Sequence, residues 1–312
     1  MQPAGRRPVG DRLRSTGRTV IRSAAMATAD LRPLPDLVVI GVKRGGTTSL
    51  FRDLERHPAM CPLVPSARRL PMMRENMKGV HHFDGDMSRS MRWYRSHFAS
   101  SLSRSWRERQ VGASFTAEAS PYYFFHPLAA GRAAAALPAT TFLVMLRDPV
   151  ERTVSHWAEQ TRNGVETLPL RDALAAEAER LGDDRIRLTT GALLESHADE
   201  QQSYAAQSEY AASLARWTDA VGTDRVLVVF SEDYYRDPRS TLDTVTASIG
   251  VEPLPAHATS EHRNAAPRPG AIDADLDAEL TERFRPDVER LVHQLGRRPP
   301  WPRFASTDRA GA

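Results

Sequence analysis

The fold of this chain is decided by Leu37-Val-Val-Ile-Gly-Val-Lys-Arg-Gly-Gly-Thr-Thr-Ser49. Its first part, Leu37–Val42, is short, rich in β-branched residues and apolar on both faces, which is the pattern of a buried parallel strand. Glycines follow, and the next segment, Thr47–His57, has helical character and ends before Pro58. A strand, a glycine-rich loop and a helix in this order are typical of an α/β nucleotide site.

Two further buried strands are predicted, Thr141–Leu146 and Val226–Phe230, and Ser114–Ala117 is a candidate for a short fourth strand. Helices are expected at Arg89–Phe98, Val150–Arg162, Leu170–Leu181, Tyr204–Ala220, Pro238–Ile249 and Ala274–Leu295. Strands that alternate with helices, without an internal repeat or a second core, indicate one domain. The sequence therefore predicts a single α/β domain with a P-loop-type, mainly parallel sheet flanked by helices on both faces.

The folded domain is expected to span residues 35–304. A disordered, arginine-rich tail and linker would precede it at residues 1–34, and a short disordered tail would follow at residues 305–312. The first thirty residues lack the apolar stretch of roughly 7–15 residues that a secretory signal requires. Whether translation starts at Met1 or at Met26 stays open.

Composition restricts the classes of protein to which the chain can belong. Hydrophobic residues make up 41% and charged residues 26% of its 312 residues, as in soluble globular proteins. No apolar run approaches the roughly 20 residues of a membrane span, so none is predicted. The single cysteine, Cys61, rules out an intramolecular disulfide and suits a reducing, cytoplasmic location.

The basic charge of the chain is mainly a property of the N-terminal tail. The formal net charge is +3, and six arginines precede Ala29 against one aspartate. Because the excess is confined to the tail, no nucleic-acid partner is expected, and a weak interaction of this kind should disappear when the first thirty residues are deleted. Oligomeric state is left open.

The glycine loop nearly satisfies the phosphate-binding pattern G-x-x-x-x-G-K-[ST]. Gly41 and Gly46 have the required separation and Thr48 fills the hydroxyl position, but Thr47 stands where nucleoside-triphosphate enzymes have lysine. Two cations, Lys43 and Arg44, precede the glycine pair Gly45-Gly46 instead. Backbone amides and the N-terminus of the following helix favour an anion here. The alternative is an ordinary strand-to-helix turn.

A second pattern follows another buried strand: Arg147-Asp-Pro-Val-Glu-Arg-Thr-Val-Ser155. Arg147 lies at the strand end, and Ser155 lies two turns along the next helix. A guanidinium and a hydroxyl could therefore converge on one phosphate. The alternative interpretation is structural, with Asp148 capping the helix and Arg147 pairing with a carboxylate.

Together, these two segments resemble the PAPS-dependent sulfotransferases (PAPS is 3′-phosphoadenosine 5′-phosphosulfate), particularly the branch related to heparan-sulfate sulfotransferases and their bacterial relatives. The resemblance assigns one set of residues to the 5′-phosphosulfate: Lys43, Arg44, Gly45, Gly46, Thr47, Thr48 and Ser49. It assigns Arg147 and Ser155 to the 3′-phosphate, and Arg263 and Arg268 resemble a loop that closes over it. It implies PAPS as cosubstrate, 3′,5′-ADP as product and no metal.

The resemblance extends over about residues 36–301 and includes Lys78-Gly-Val-His-His-Phe-Asp84, which is similar to the family segment K-E-V-H-F-F-D. Three departures matter. Arg44 replaces the lysine most often found beside the leaving phosphate, although Arg occurs there in bacterial relatives. Gly79 stands where the heparan-sulfate enzymes have a glutamate general base, and Ala119 where they have a lysine. The acceptor-side chemistry cannot be transferred unchanged.

Four residues are candidates for the general base: His81, His82, Asp84 and Glu118. We favour His81, because it occupies the family's histidine position and its pKa suits proton transfer near neutrality, with Asp84 orienting it. The alternative for the paired histidines is packing. No third ligand accompanies the His-x₂-Asp pattern, so no metal site is expected. The aromatic run Tyr122–Phe125 would be either core or the wall of an acceptor cleft.

The sequence thus predicts in-line transfer of a sulfuryl group from PAPS to a hydroxyl or amine of a carbohydrate, glycolipid or secondary metabolite, in a protein of bacterial character. Two alternatives stay open. One is a P-loop nucleotide kinase, against which Thr47 argues. The other is a catalytically silent relative that binds PAPS or 3′,5′-ADP, which the departures at Gly79 and Ala119 would permit.

Overall fold

The structure is a computed structural model of the chain that describes residues 21–64, 78–85, 87–255 and 272–305. Arg263 and Arg268, assigned above to a loop over the 3′-phosphate, lie outside the described residues, as does Met1. Of the described helices, none combines the length and the apolar character needed to cross a bilayer.

The sheet has four parallel strands in the order β2-β1-β3-β4. Their bounds are Leu37–Gly41 (β1), Ala117–Ala119 (β2), Thr141–Leu146 (β3) and Val226–Phe230 (β4). The parallel α/β prediction is confirmed. The predicted fourth strand was placed too early, because ladder pairing begins at Ala117 opposite Leu37, and Phe115 makes only an isolated bridge to Met60.

Alternate residues of the central strands belong to two different apolar clusters. Val38 and Ile40 pack into one cluster, while Leu37 and Val39 pack into the other. Since successive side chains of a strand point to opposite faces, the sheet is buried on both sides. This burial explains why the strands are continuous apolar runs rather than alternating ones.

Helices cover both faces, as predicted. Their bounds are Thr47–Leu54 (α1), Met91–Arg95 (α2), Ser101–Val111 (α3), Ala129–Ala136 (α4), Pro149–Arg162 (α5), Leu170–Leu181 (α6), Asp184–Thr190 (α7), Ala211–Val221 (α8), Ser231–Arg236 (α9), Pro238–Ser248 (α10) and Ala274–Leu295 (α11). A π-helical turn at Ala198–Gln202 lies between α7 and α8. α1 and α10 contribute to the cluster of Leu37, and α4, α5, α8 and α11 to that of Val38.

The helix predicted at Tyr204–Ala220 is interrupted. A short 3-10 turn, Ala206–Ser208, precedes α8. The break has a distant cause, because the carboxylate of Asp287 in α11 accepts hydrogen bonds from the backbone amides of Tyr210 (2.6 Å) and Ala211 (3.2 Å). These amides are the ones that a helix start leaves without intrahelical partners.

The described residues before position 35 pack on the domain. Residues 21–27 are helical, and Ala25 and Ala29 are buried. Arg22 donates hydrogen bonds to Ser96 Oγ (2.9 Å) and to the Val64 carbonyl (2.8 Å). In the structure the packed region therefore includes residues that the sequence prediction placed in the tail.

The connections place a crevice between β1 and β3. From β1 the chain passes to β2 on one side, and β3 then begins on the other side and leads to β4. In parallel α/β sheets such a switch point, at the carboxyl ends of the strands, is where ligands bind. The glycine loop after β1 and Arg147 after β3 both lie at this edge.

Candidate active site

The glycine loop folds tightly against the end of β3. The Val42 amide donates to the Met145 carbonyl (3.1 Å), and the Gly45 amide donates to the Val42 carbonyl (3.0 Å). A Cβ at Gly45 would lie 2.4 Å from the Met145 carbonyl oxygen, so no side chain fits there. Gly46 has a φ of 94° and caps α1, a conformation that favours glycine.

The start of α1 contributes hydroxyl groups and the positive end of a helix to the loop. Thr47 is buried, and Thr48 lies in the first turn. Ser49 accepts a long hydrogen bond from Tyr235 (3.5 Å). Ser231 supports the loop by donating to the Gly45 carbonyl (2.6 Å). The loop therefore presents backbone amides at a helix N-terminus, which is an arrangement suited to an anion.

The two predicted phosphate motifs meet at Arg44. Its Nε donates to Ser155 Oγ (3.1 Å) across 111 residues of sequence, and its NH1 is hydrogen-bonded to the Glu159 carboxylate. Arg147 contacts the same loop through a long bond to the Arg44 carbonyl (3.4 Å) and donates to Glu151 (2.7 Å). Arg44, Arg147 and Ser155 thus line one crevice.

The structural interpretation of the second motif, a helix cap by Asp148 and an ion pair of Arg147, also agrees with the structure. Asp148 caps α5 by accepting from the amides of Val150 (2.9 Å) and Glu151 (3.1 Å), and Arg147 pairs with the latter's carboxylate. Pro149 occupies the first turn, as expected. The cap orients α5 so that Ser155 lies opposite Arg44.

Lys43, predicted to bind the cosubstrate, contacts the π-helical turn in the described structure. Its Nζ donates to the carbonyl and carboxylate of Glu200 (both 3.1 Å) and to the Gln201 side chain (3.0 Å). Burial lowers the pKa of Lys43, and the Glu200 carboxylate opposes this effect. In the described structure this cation attaches the loop to a neighbouring segment.

Lys78 is a site residue that the sequence prediction did not assign. Its Nζ lies 2.6 Å from Thr48 Oγ1, at the first turn of α1. Burial lowers the pKa of Lys78, Glu159 raises it, and the guanidinium groups of Arg52 and Arg44 lower it further. Its position as the lysine of the segment similar to K-E-V-H-F-F-D was the available sign.

Arg152 is a second residue without a sequence assignment. It is buried, and donates from Nε to Ser208 (2.6 Å) and from NH1 to the Lys43 carbonyl (3.3 Å). Burial lowers the pKa of Arg152 to about 10. Since it joins α5 to the loop backbone, it fixes the position of the loop relative to Ser155.

His81 and Asp84 form a hydrogen-bonded pair. His81 Nδ1 lies 2.8 Å from Asp84 Oδ2, and the His81 side chain is 52% exposed whereas that of Asp84 is 5% exposed. Burial opposes the charged imidazole, but the hydrogen bond and charge of Asp84 outweigh it, so the pKa of His81 is raised. His81 has a φ of 50°, which is a strained conformation. Its backbone amide donates a hydrogen bond to Ser120 Oγ (3.0 Å), which holds this conformation.

Gly79 leaves space that His81 partly fills. A Cβ at Gly79 would lie 2.5 Å from the Ala119 carbonyl and 3.1 Å from His81 Nε2. No side chain fits at residue 79 in this backbone. The imidazole nitrogen that faces the glycine is the one not engaged by Asp84.

The other two base candidates are interior residues. Glu118 is fully buried and accepts hydrogen bonds from four donors: the Val80 amide (2.8 Å) and the hydroxyls of Ser120 (2.7 Å), Tyr94 (3.0 Å) and Tyr123 (3.3 Å). Burial raises the pKa of Glu118, and these hydrogen bonds oppose the effect. His82 is buried and stacks on Tyr94, and burial lowers its pKa.

The aromatic run Tyr122–Phe125 belongs to the interior. All four side chains are buried, and Tyr123 and Phe124 are members of a core cluster. Tyr122 donates to Asp199 (2.5 Å), which lies in the π-helical turn. Of the two interpretations left open for this run, the geometry favours core packing. Among the described residues, no group of three or more metal-ligating side chains is arranged to hold a metal ion.

Comparison with known proteins agrees with this geometry. The profile of the sulfotransferase family matches residues 35–255, which contain both phosphate motifs. The chain belongs to the sulfotransferase family. A sulfotransferase of Alicyclobacillus acidocaldarius has a similar solved structure, with 28% identity, a TM-score of 0.57, and coverage of 86% of this chain and 98% of that one. The family predicted from the two motifs is therefore confirmed.

Two curated relatives are enzymes of heparan sulfate. Mouse bifunctional heparan sulfate N-deacetylase/N-sulfotransferase 4 is 25% identical over 222 residues, which are 70% of this sulfotransferase and 23% of the relative. Human heparan sulfate glucosamine 3-O-sulfotransferase 6 is 32% identical over 144 residues, 46% of this chain and 35% of the relative. The chain thus matches well under half of the length of either relative.

Proposed function

We propose that this sulfotransferase moves a sulfuryl group from PAPS to a hydroxyl or amine of an acceptor. The observation that carries the proposal is the contact of Arg44 with Ser155, because it joins a phosphate loop to a second motif at one crevice. A donor with two separate phosphate positions requires two such motifs. Nucleoside-triphosphate chemistry is disfavoured because Thr47 replaces the P-loop lysine.

The residues around the crevice fit a doubly anionic nucleotide. The glycines at positions 45 and 46 bring backbone amides close, and Arg44, Thr48 and Lys78 would face the 5′-phosphosulfate. Arg147 and Ser155 would hold the 3′-phosphate, with paired guanidinium donors on the former. The cosubstrate supplies the activated sulfuryl group, and the protein supplies position and charge.

Transfer requires positive charge at the departing phosphate. We assign this role to Arg44, which lies in the loop before α1, and to Lys78, which contacts Thr48 in the first turn of α1. Fixed cations in a partly buried site stabilise developing negative charge without reorganisation when the reaction occurs. Thr48 adds a hydroxyl held by Lys78.

We propose His81 as the general base. Asp84 accepts the Nδ1 proton of His81 at 2.8 Å, which leaves Nε2 with a lone pair that can take the acceptor proton. The carboxylate then stabilises the imidazolium, as in other base–orienter pairs. Glu118 acts through others, because it holds the Val80 amide directly and the His81 amide through Ser120.

For the acceptor we propose a carbohydrate hydroxyl, with glycolipids and secondary metabolites as further classes. The support is the similarity to two enzymes named for heparan sulfate. The resemblance implies a glutamate base at this position in the heparan-sulfate enzymes, but residue 79 has no room for a side chain here, so the partly exposed His81 is the group proposed to meet the acceptor. This difference is a reason to test unrelated acceptors together with glycans.

The decisive experiment combines binding with transfer. Calorimetry should show binding of 3′,5′-ADP, and ³⁵S-labelled PAPS with a panel of glycans, glycolipids and phenols should give a labelled product. ATP should neither bind as tightly nor be hydrolysed with Mg²⁺, otherwise the kinase alternative gains support. Binding of 3′,5′-ADP without transfer or PAPS hydrolysis would favour a silent relative. Absence of binding would refute the proposed donor.

A further inference from the structure

Helix α5 places one carboxylate on each arginine of the proposed donor site. Glu159 is hydrogen-bonded to Arg44, and Glu151 accepts from Arg147 at 2.7 Å. The arginines are those assigned to the 5′- and 3′-phosphates, respectively. Each of these two arginines is therefore paired with an acid of the protein itself.

Glu159 is the more deeply placed of the two acids. Its side chain is 28% exposed against 44% for that of Glu151. Its charge also acts on Lys43 and Lys78, whose pKa values it raises against the lowering effect of burial. Glu159 thus contacts Arg44 and acts electrostatically on two further cations, Lys43 of the same loop and Lys78 of a separate segment.

Such a set of cations around one carboxylate is what an anionic ligand would require at the same place. Glu159 follows Ser155 by one helical turn, so both project from the same face of α5 toward Arg44. A ligand phosphate that takes the Arg44 guanidinium must displace the carboxylate or share the donor with it. Like charges held close together repel, so sharing is unfavourable.

We propose that Glu159 is an internal counterion that occupies Arg44 in the free protein and competes with the 5′-phosphosulfate of the donor, and with the 5′-phosphate of the product, for this guanidinium. The inference rests on the proposed function. It gives Glu159 two effects: it stabilises the loop cations when no ligand is bound, and it weakens the hold on 3′,5′-ADP so that the product leaves.

The partial exposure of Glu159 gives its carboxylate a route toward solvent when a ligand arrives. The Arg44 side chain is 19% exposed and keeps its bond to Ser155, so it can stay in place while the acid turns away. In the pair of Arg147 and Glu151 the carboxylate is 44% exposed and follows the arginine by four residues, and ion pairs with a solvent-exposed partner contribute little. Separation of Glu151 from Arg147 should therefore affect ligand binding less than separation of Glu159 from Arg44.

The test uses Glu159→Gln, which removes the charge and preserves the shape, with Glu151→Gln as the matched control on the same helix. We expect Glu159→Gln to bind 3′,5′-ADP about tenfold more tightly than the wild type, equivalent to about 1.4 kcal/mol. Binding of adenosine 3′-monophosphate, which lacks the 5′-phosphate, should change less than about twofold, given the position of Arg44. Glu151→Gln should change the affinity for either ligand by less than about threefold.

Isothermal titration calorimetry on the full chain measures these affinities without turnover, and thermal melts verify that each variant is folded. If the wild type binds 3′,5′-ADP and Glu159→Gln binds it equally or more weakly, the counterion role is wrong while the proposed function stands. Equal tightening toward both ligands would also overturn the role, because a general structural effect would explain it. If neither protein binds 3′,5′-ADP, both the inference and the proposed donor fail.

Discussion

The pair of His81 and Asp84 supports a prediction that separates a general base from a packed histidine. In Asp84→Asn, the side-chain amide can donate to Nδ1, which would move the ring proton to Nε2 and remove the Nε2 lone pair that is proposed to take the acceptor proton. General-base assistance contributes roughly 10²- to 10⁴-fold to rate. Because the bond of 2.8 Å is the contact that orients this ring toward one tautomer, we expect kcat to fall by about 10²-fold or more.

The direction in which kcat/KM changes with pH provides a second test of the base. Asp84 raises the pKa of His81, so the neutral, active imidazole accumulates only as pH rises through this raised value. In wild type, kcat/KM should therefore increase with pH to an inflection above the ordinary histidine pKa of about 6.5. Without the carboxylate, the lowering effect of burial prevails, and the inflection in Asp84→Asn should move to lower pH.

The assay is initial-rate transfer from labelled PAPS over a range of pH, with the acceptor identified by the panel above. Asp172→Asn, which makes the same chemical change at an exposed position in α6, is the control and should retain wild-type rates. A kcat within about threefold of wild type together with an unchanged inflection would refute the base assignment, since general-base catalysis exceeds that factor.

Three further predictions concern the donor loop, the acceptor side and stability. Arg44→Ala and Arg147→Ala should each lower transfer by at least about 10²-fold, because each removes a hydrogen-bond donor to developing or bound negative charge. Circular dichroism should show an unchanged fold. Near-wild-type transfer by either variant would contradict the proposed site. Gly79→Ala should shift the His81 loop, because its Cβ would meet a strand carbonyl at 2.5 Å, and should cost about 1–3 kcal/mol in urea unfolding; unchanged stability would show that the loop relaxes freely. Burial, together with neighbouring arginines, lowers the pKa of His97 and of His126 to about 3. Below pH 6.5 the unfolded chain therefore binds more protons than the folded one, and the free energy of unfolding should fall by about 1.4 kcal/mol per histidine and pH unit. Equal urea midpoints at pH 7.5 and 5.5 would exclude this effect.

Most of the sheet could be predicted because β1 and β3 are buried apolar runs and β4, although partly exposed, is a continuous apolar run as well. Thr141–Leu146, Val226–Phe230 and Ala274–Leu295 have the predicted bounds. The prediction missed the start of β2, which has only three residues and is defined by pairing with β1. It also missed the start of α8, which depends on a carboxylate 77 residues away.

The donor side of the site likewise combines features that local sequence predicts with contacts between distant segments. Phosphate loops have a strict spacing because glycines, amides and a helix start must coincide, so Gly41, Gly46 and Thr48 identified the loop from sequence, and the resemblance added Arg44 and Gly45 as predicted donor ligands. The contact of Lys78 with Thr48 could not be predicted, because it bridges 30 residues and has no local periodicity. The contact of the Lys43 ammonium with Glu200, 157 residues away, could not be predicted either, and the assignment of Lys43 to the cosubstrate stays a prediction.

The sequence by itself therefore determined the class of fold and the sulfotransferase family, because strand patterns and motifs depend on residues close together in the chain. Only the tertiary structure decided which side chains face one another across the crevice. It placed Glu159 on Arg44, put Glu118 in the interior, and showed that residue 79 has no room for a side chain. These facts depend on the packing of α5, β2 and the His81 loop, and packing is set by contacts between segments that no local pattern encodes.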